Sequence, residues 1–378
     1  MTLADEQSGL LAGIRVLDLT MFLAGPYSTR LIADLGADVI KIEPIGGEFI
    51  RNTPPVVDGN SRYFTQLNCG KRSVVLDLKS EQGHQDFMGL VANADVVVEN
   101  FRPGVMKRLG LDYDILKATK DDIILCSISG YGQVGPDAGR PAFAPIIHAA
   151  SGVDMAQFDN LKGAIDKPAR NRNATADVLA GTHAFGAIAA ALFRRERTGR
   201  GQRIDIALID CIHNMLAAEL QVAQVPDAGG AIVFTPIRAV DGFVMTAPVS
   251  QANFEALCKA IERPDFITDP RFEEPKTRIS NFDVLMAEAE LWSLDRSAEE
   301  TEQTILDAGC PATRYYTVLE SMQNPATTAR GAVIETSDAG GDFIIPNSPF
   351  KVSNDPAERQ TRLPELGQDT DEVLDSLR

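Results

Sequence analysis

The sequence predicts an α/β protein with a parallel sheet in a large domain and a smaller α+β domain. Strand-like and helix-like segments alternate over residues 13–130. The stretch PDAGG at 226–230 then precedes a shorter region of mixed pattern, and the chain ends in a loop-rich segment and a helix. These observations predict a large domain over 1–225, a small domain over 226–325 and a C-terminal return over 326–378 that completes the large domain.

The first three elements predict a strand–helix–strand unit. Residues 13–20, GIRVLDLT, alternate between apolar and polar positions and predict a buried strand. Residues 25–37 predict a helix, with Pro26 in its first turn. Residues 38–44, DVIKIEP, predict the next strand, which ends at the proline. Two strands joined by a helix favour a parallel pair.

The later elements continue this alternation and then change character at 131–175, which is rich in Gly, Pro, Asn and Asp and predicts loops. A long helix begins near Asp177 and ends at RRERTGRG, where arginines complement the negative helix end. The remaining elements predicted before residue 226 are strands at 72–80, 95–100, 122–130 and 202–210 and helices at 81–94 and 211–225.

Composition and charge restrict the class of protein. Among the 378 residues, 44% are hydrophobic and 24% are charged, and the net charge of −17 disfavours binding to nucleic acid or to an anionic membrane. No run of about 18 apolar residues predicts a membrane span. The N-terminus lacks the basic start of a secretory signal. Five scattered cysteines without a CxxC pair predict a reduced, cytoplasmic protein with neither a disulfide framework nor a metal site.

The turn after the first strand reads MFLAGP and contains no GxGxxG fingerprint. That fingerprint is the usual signal of a dinucleotide-binding turn. We therefore do not expect a nicotinamide-dependent oxidoreductase.

Two basic clusters follow predicted strand ends, which is where open α/β sheets bind ligands. Their members are Lys71, Arg72 and Lys79 in the first and Arg102, Lys107 and Arg108 in the second. Each could hold phosphates through charge-assisted hydrogen bonds. The alternative is a solvated face with surface ion pairs, and for any single basic residue that role is the more common one. The coincidence of both clusters with strand ends favours a phosphate-bearing ligand.

Asp177 is a candidate nucleophile at the start of a helix of small residues. A structural role is the simpler interpretation, since an acid in a first helical turn interacts favourably with the helix dipole. The functional interpretation rests on small neighbours, including Ala180 and Gly181, that allow another segment or a ligand to approach closely. A carboxylate needs no base to act as a nucleophile, and its attack on a thioester would give a mixed anhydride that must be shielded from water.

Motifs along nearly the whole chain resemble those of the class III CoA-transferases, a group that also contains α-methylacyl-CoA racemases. They include AGPYSTRLIADLGADVIKIEP, NCGKRSVVLDLK, ADVVVENFRPGVMKRLGLDYDIL, SISGYGQVGP, ADVLAG, ALFRRERTGRGQRIDIALID and LGQDTDEVL. The resemblance implies a CoA-thioester enzyme that acts on an acyl-CoA and a carboxylic acid. It implies no tightly bound cofactor and no metal.

The resemblance also implies roles for individual residues. Asp177 matches the nucleophile of the family's D-x-x-x-G segment. Positions that contact CoA in the family match Leu76 to Lys79, Asn100 to Arg102, with Phe101 between them, and Arg108. The implied fold is a Rossmann-like large domain with a smaller domain from the middle of the chain, in an interlocked homodimer.

Three functions remain open: CoA transfer between acids, an acyl-CoA racemase or epimerase, and a non-catalytic CoA-binding protein. A racemase needs two bases. Phe143 and Ala144 stand where racemase-like members carry a His–Asp pair. His148 and His183 are nearby, but a lone histidine among apolar residues is more often a core residue, so the transferase is favoured.

The sequence departs from transferases that use formate and oxalate. Leu23 stands where those enzymes carry glutamine, Ala144 where they carry glutamate and Pro44 where they carry arginine. These differences disfavour formyl-CoA and oxalate as substrates and leave a less polar or larger acid possible.

Overall fold

The computed structural model describes residues 9–161, 164–225, 232–338, 340–353, 361 and 363–377. The predicted boundary at 226–230 and the extreme N-terminus lie outside these residues. The chain forms two compact units, Met1–Ala217 with Ala329–Arg378, and Ala218–Thr328. The predicted limits of the domains stay a prediction, because compactness alone does not show independent folding.

The strands in the described residues are β1 Arg15–Asp18, β2 Asp38–Glu43, β3 Val56–Val57, β4 Asn60–Ser61, β5 Arg72–Val75, β6 Val96–Glu99, β7 Ile124–Ser129, β8 Gln202–Ala207, β9 Ile237–Ala239, β10 Gly242–Thr246, β11 Ala312–Arg314, β12 Val333–Asp338 and β13 Gly341–Pro346. The helices are α1 Ala24–Ala33, α2 Arg62–Asn68, α3 Glu81–Val91, α4 Val105–Arg108, α5 Tyr113–Thr119, α6 Ala144–Ser151, α7 Val153–Asn160, α8 Thr175–Thr198, α9 Leu208–Met215, α10 Ala217–Gln224, α11 Gln251–Ala260, α12 Pro275–Ser280, α13 Phe282–Ser293, α14 Ala298–Asp307, α15 Val318–Gln323, α16 Pro325–Ala329 and α17 Thr370–Asp375.

A six-stranded parallel sheet is the centre of the larger unit, in the order β5-β2-β1-β6-β7-β8. Its central strand β6 is VVVE and is buried along its whole length. Such a continuous apolar run is typical of a parallel strand covered on both faces. The predicted α/β class with a central parallel sheet is confirmed.

Alternate residues of each strand enter two different cores. Val16, Val96 and Val98 face a core shared with α1, α6 and α8. Leu17 and Val97 face the opposite core, which is completed by α3, α5 and α17. This alternation is the period-two geometry of a strand, and it gives the sheet helices on both sides. The carboxyl ends of β1, β2 and β6 therefore lie together at one edge.

The last helix returns to the larger unit. The Asp369 carboxylate accepts the Ser73 N–H at 2.8 Å, and the Asp369 N–H donates to the Ser73 carbonyl at 3.0 Å. Val373 of α17 is buried in the core beside α3. The larger unit is thus built from both ends of the chain.

The second unit contains an antiparallel sheet in the order β11-β10-β9. Its core includes Ile237 and Val244 from the sheet and Phe254, Leu285 and Ile305 from α11, α13 and α14. Mixed helices and antiparallel strands around one apolar core form an α+β arrangement.

Two loop predictions are wrong. Residues 131–175 contain α6 and α7, and the C-terminal return contains the hairpin of β12 and β13. In α6, Ala144 and Ile147 are buried against the main core. Tertiary burial therefore decides the conformation of a segment whose local composition favours loops.

The expectation that no segment resembles a membrane span also needs correction. Within the described ranges, α8 is long and apolar enough to cross a membrane by length and composition. Its inner face, including Ala180, Ala184 and Ile188, is buried in the core beside the sheet. A core helix passes the same test, so this feature is weak evidence for a membrane.

Candidate active site

The start of α8 is capped by side chains from outside the helix. The buried His148 ring accepts the Ala176 N–H at its Nε2, over 3.1 Å, and Asn173 accepts the Thr175 N–H at 2.9 Å. The first N–H groups of a helix have no partner within it, so these acceptors satisfy donors that would otherwise be unpaired. His148 is thus a buried, hydrogen-bonded residue that fixes the helix turn carrying Asp177.

Burial sets the ionisation of Asp177. The side chain is half-buried, and loss of hydration raises the pKa of its carboxyl to about 6. Its position in the first turn of α8 works in the opposite direction, because the helix dipole favours the ionised form. An acid with this pKa is mostly ionised at neutral pH and is more basic than an exposed aspartate. Asp177 therefore combines a negative charge with incomplete solvation.

Gly181 brings another helix against α8 one turn after Asp177. A Cβ at this position would lie 2.6 Å from the Ala24 carbonyl oxygen and 2.9 Å from the Tyr27 ring. Only glycine allows this approach of α1 without displacing backbone. No side chain caps the N-terminus of α1. The small residues that follow Asp177 thus admit the uncapped first turn of another helix.

Tyr63 of α2 lies within electrostatic reach of Asp177. Burial raises the pKa of its phenol to about 12, and the negative charges of Asp177 and Glu48 add to this rise. The hydroxyl consequently keeps its proton at neutral pH and can donate a hydrogen bond. No pattern in the sequence points to this residue, because its relation to Asp177 exists only in the folded chain.

The surroundings of Lys71 give no support to its predicted role as a phosphate contact. Its ammonium is fully buried and forms an ion pair with Asp18 at 2.9 Å, with further hydrogen bonds to Thr29 Oγ1 at 2.8 Å and Asn68 Oδ1 at 2.8 Å. Burial lowers the pKa of Lys71 to about 8, with Asp18 opposing that effect. All these partners lie inside the protein, so the charge supports the fold at the end of β1.

Arg72 and Leu76 are also engaged in the fold. The Arg72 guanidinium binds the Asp38 carboxylate through two hydrogen bonds of 2.9 and 2.7 Å. Leu76 is buried in the core beside α3. Side-chain contact with a ligand is therefore poorly supported for both residues, although Arg72 retains 30% exposure.

The structure brings Lys79 and Arg108 together. Both line a cavity of about 480 Å³ beside the start of α3, together with Ser80 and His84. Ser80 caps that helix by accepting the Gly83 N–H at 3.0 Å. Two cations beside a helix N-terminus form a favourable environment for a phosphate group.

Asn100 links two loops at the carboxyl edge of the sheet. Its side chain accepts the Met21 N–H at 2.9 Å and donates to the Met21 carbonyl at 2.7 Å. The next residue, Phe101, donates its N–H to the buried Glu99 carboxylate at 2.8 Å. Burial raises the pKa of Glu99 to about 7. Arg102 is exposed at the surface of this loop.

The hydrogen-bond partner of His183 lies within its own helix. Its ring is exposed, and Nδ1 lies 2.8 Å from the Leu179 carbonyl of the preceding turn. Among the described residues, no group of three or more His, Cys, Asp or Glu side chains is arranged to hold a metal ion.

Comparisons with known proteins cover almost the entire chain. A family model described as CoA-transferase family III matches residues 11–370. The acetyl-CoA:oxalate CoA-transferase of Acetobacter aceti is 37% identical over 95% of this chain and 93% of its own. The succinyl-CoA:mesaconate CoA-transferase of Haloarcula marismortui is 34% identical over 97% and 96% of the two chains.

Solved structures show the same likeness. A CAIB/BAIF family protein from Brucella suis superposes with a TM-score of 0.84 at 32% identity, over 98% of this chain and all of that one. The protein Rv3272 of Mycobacterium tuberculosis superposes with a TM-score of 0.85 at 29% identity, over 97% and 100% of the two chains.

Proposed function

The chain belongs to CoA-transferase family III, and from this membership we propose that it moves CoA from an acyl-CoA donor to a carboxylic acid through acylation of Asp177. It is an enzyme with a CoA thioester as substrate. The observation that carries the proposed mechanism is the half-buried Asp177 carboxylate, whose pKa is raised to about 6. Such a group is ionised at neutral pH and weakly solvated, as a carboxylate nucleophile must be.

The reaction proceeds through four acyl transfers. A carboxylate oxygen of Asp177 attacks the thioester carbonyl, the C–S bond breaks, and CoA thiolate leaves an aspartyl–acyl anhydride. The thiolate attacks the aspartyl carbonyl, which releases the donor acid and forms an aspartyl-CoA thioester. The acceptor carboxylate attacks this thioester and again releases the thiolate. The thiolate then attacks the acyl carbonyl of the second anhydride, which gives the new acyl-CoA and restores Asp177.

Each step develops negative charge on a carbonyl oxygen, which hydrogen-bond donors stabilise. The start of α8 is poorly suited to this, because the N–H groups of Thr175, Ala176 and Val178 already have acceptors. We assign the role to the Ala24 and Gly25 N–H groups at the start of α1, which packs against α8 at Gly181, and to the Tyr63 hydroxyl. Pro26 carries no N–H, and the Tyr27 N–H already donates to the Leu23 carbonyl at 2.8 Å.

Binding of the CoA nucleotide positions the thioester at a distance from the reacting carbon. Lys79 and Arg108 are the proposed phosphate contacts, since they share one cavity. Asn100, Phe101 and Arg102 are the proposed contacts from the loop after β6. We leave Lys71 out of these proposed contacts, because its buried ammonium pairs with Asp18.

The proposed working form is an interlocked homodimer with a Rossmann-like larger domain, which acts in the cytoplasm without a tightly bound cofactor or metal. The relatives named above act on oxalate and mesaconate by their names. Both are dicarboxylates, so a small dicarboxylic acid is one acceptor to test.

The racemase or epimerase alternative has weaker support. It requires a second base at the α-carbon. The Nε2 atom of His148 is occupied by the Ala176 N–H, and Phe143 and Ala144 supply no base. A non-catalytic CoA-binding role leaves the perturbed carboxyl of Asp177 without a function.

Hydroxylamine trapping tests the mechanism. Hydroxylamine attacks the aspartyl carbonyl of the CoA thioester, releases CoA and leaves an aspartyl hydroxamate that peptide mass spectrometry locates. We expect hydroxamate at Asp177 after incubation with acyl-CoA, and none in Asp177→Asn. The same substitution should lower the transfer rate by roughly 10³-fold or more.

The alternatives give different results. Deuterium exchange at the α-carbon in heavy water without hydroxamate would identify a racemase. Bound CoA without either reaction would identify a binding protein. Undiminished transfer in Asp177→Asn would refute the proposed nucleophile.

A further inference from the structure

Three phenylalanine rings from separate parts of the chain meet at the surface of the larger unit. Phe22 follows β1, Phe49 opens the 3₁₀ helix Phe49–Asn52, and Phe143 precedes α6. The Phe22 centroid lies 5.6 Å from the Phe49 centroid and 5.6 Å from the Phe143 centroid. Phe49 is 68% exposed and Phe143 is 58% exposed. We call these residues the aromatic cluster, an exposed apolar patch of the kind that marks a binding surface.

Two connections place the aromatic cluster beside Asp177. Phe143 leads directly into α6, and His148 of that helix accepts the N–H of Ala176, the residue before Asp177. Phe22 packs in the same small apolar cluster as Tyr63. The negative charge of Asp177 in turn contributes to the raised pKa of the Tyr63 phenol. The patch and the nucleophile therefore share one neighbourhood.

The position of Phe22 is held by a buried ion pair. Phe22 has a φ of 65°, which is uncommon for a bulky residue, and its N–H donates to Glu48 at 3.0 Å. Glu48 is buried and paired with Lys41 at 2.7 Å. Lys41 also donates to the Thr20 carbonyl at 2.9 Å. Strained backbone persists where the surroundings fix it, and such positions cluster at ligand sites.

We propose that the aromatic cluster is the wall against which the acyl group is bound, and that this enzyme selects carboxylic acids with an apolar branched or aromatic side group. The inference rests on the proposed function and adds its substrate class. Phenyl rings stabilise an apolar group by burial and provide no hydrogen bond to a second carboxylate. A dicarboxylic acid would lose hydration at this wall without compensation.

The test compares acceptors in wild type, Phe143→Gln and Phe49→Gln. Acetyl-CoA is the donor, and isovalerate, phenylacetate, oxalate and succinate are the acceptors, with thioester products separated by chromatography. We expect wild type to show a kcat/KM at least about tenfold higher for the two apolar acids. Each variant should lower that value by about tenfold for the apolar acids and leave the dicarboxylates unchanged.

Phe193→Gln is the matched control, because Phe193 is 65% exposed and lies about 24 Å further along α8 from Asp177. It should change none of the four values. Thermal unfolding and oligomeric mass are measured for every variant, so that a folding defect is separated from a change in selectivity.

Preference of wild type for oxalate or succinate would overturn the inference. An equal loss for all four acids in Phe143→Gln and Phe49→Gln would also overturn it, since that pattern indicates a structural role. A changed oligomeric mass with unchanged selectivity would show that a second chain covers the patch. If hydroxamate forms at Asp177 while selectivity is unaffected, the proposed function stands and only this inference fails. Absence of both transfer and hydroxamate defeats the two together.

Discussion

At the scale of single residues, Asp177 is a half-buried carboxylate at the start of α8, and we propose that this burial prepares it for nucleophilic attack. Burial raises its pKa to about 6, although its place in the first turn of α8 favours the ionised form. The residue remains charged at neutral pH and carries less hydration than an exposed acid. A charged carboxylate with reduced hydration lowers the stability of the folded chain, and in the proposed mechanism the same state makes it reactive.

The transfer rate should fall as pH decreases below 6, because protonation removes the nucleophilic lone pair of Asp177. The expected slope is about tenfold per pH unit in that range. Single-turnover formation of the acyl-enzyme measures it, and calorimetric CoA binding over the same pH range controls for protonation of the phosphates. A flat profile from pH 7.5 to pH 5 would contradict the assignment.

Asp177→Asn should unfold at a higher temperature than wild type at pH 7. A raised carboxyl pKa favours folding when the group is protonated, below its unfolded value of 3.8, and this contribution is lost as pH rises through about 6. The ionised side chain therefore costs stability at pH 7, and its neutral analogue recovers about 1 kcal/mol after discounting for partial exposure. Melting curves at pH 7 and pH 4 should show the difference shrinking in acid.

Lys71 and Lys79 belong to the same basic cluster in the sequence, but their substitution should have different effects. Loss of Lys71 should reduce stability, and loss of Lys79 should weaken the binding of acyl-CoA. Lys71→Met leaves the buried Asp18 carboxylate without its partner and should cost about 3–5 kcal/mol of unfolding free energy. Lys79→Met should change stability by less than about 0.5 kcal/mol and raise KM for acyl-CoA, since Lys79 is exposed in the cavity with Arg108. Urea unfolding and steady-state kinetics measure both effects. If Lys71→Met were stable and had a raised KM for acyl-CoA, Lys71 would instead be a contact of CoA.

At the scale of elements, the proposed active site depends on the contact between α1 and α8. His148 caps α8, and Gly181 removes the side chain that would keep α1 away. The same helix carries the proposed nucleophile at its start and buries Ala184 and Ile188 further along its inner face. Under the proposed mechanism, α8 therefore serves both the packing of the core and catalysis.

Gly181→Ala should impair both stability and activity. Its new Cβ would lie 2.6 Å from the Ala24 carbonyl oxygen, so α1 must shift at a cost of about 1–3 kcal/mol. Gly186→Ala is the control on the same helix, because its Cβ would meet nothing within 4 Å, and it should gain about 0.5–1 kcal/mol. Thermal unfolding and kcat compare the two variants. Equal behaviour would show that the approach at Gly181 is unimportant.

At the scale of the whole molecule, the larger unit uses both chain ends and the smaller unit interrupts it. Hydrogen bonds between Ser73 and Asp369 attach the end of the chain to strand β5. Large apolar side chains remain exposed on several elements, including Leu291 and Val318. Surfaces of this kind fit an assembly of more than one chain.

The proposed interlocked dimer should have twice the 40.8 kDa mass of one chain. Interlocked chains separate only by unfolding, so dimers of tagged and untagged protein should not exchange subunits under native conditions. Sedimentation measures the mass, and affinity capture after mixing measures exchange. Mixed dimers should appear only after denaturation and refolding. Rapid exchange would exclude interlocking, and a monomeric mass would exclude the dimer.

The sequence by itself determined the parallel α/β class, the acid at the start of α8 and membership of the family, because periodicity and motifs are local properties of a chain. It also singled out Lys79 and Arg108 as candidate phosphate contacts. Both side chains are exposed, and they line one cavity. The membership extends over residues 11–370, so it did not depend on any single motif.

Only the tertiary structure decided which charges face solvent and which residues surround Asp177. Lys71 pairs with Asp18 across 53 positions, and His148 caps α8 across 28. Helices α6 and α7 form where local composition favours loops, because their apolar faces find a core. Burial and hydrogen bonding between distant segments arise from the folded arrangement, and no local pattern of residues specifies them.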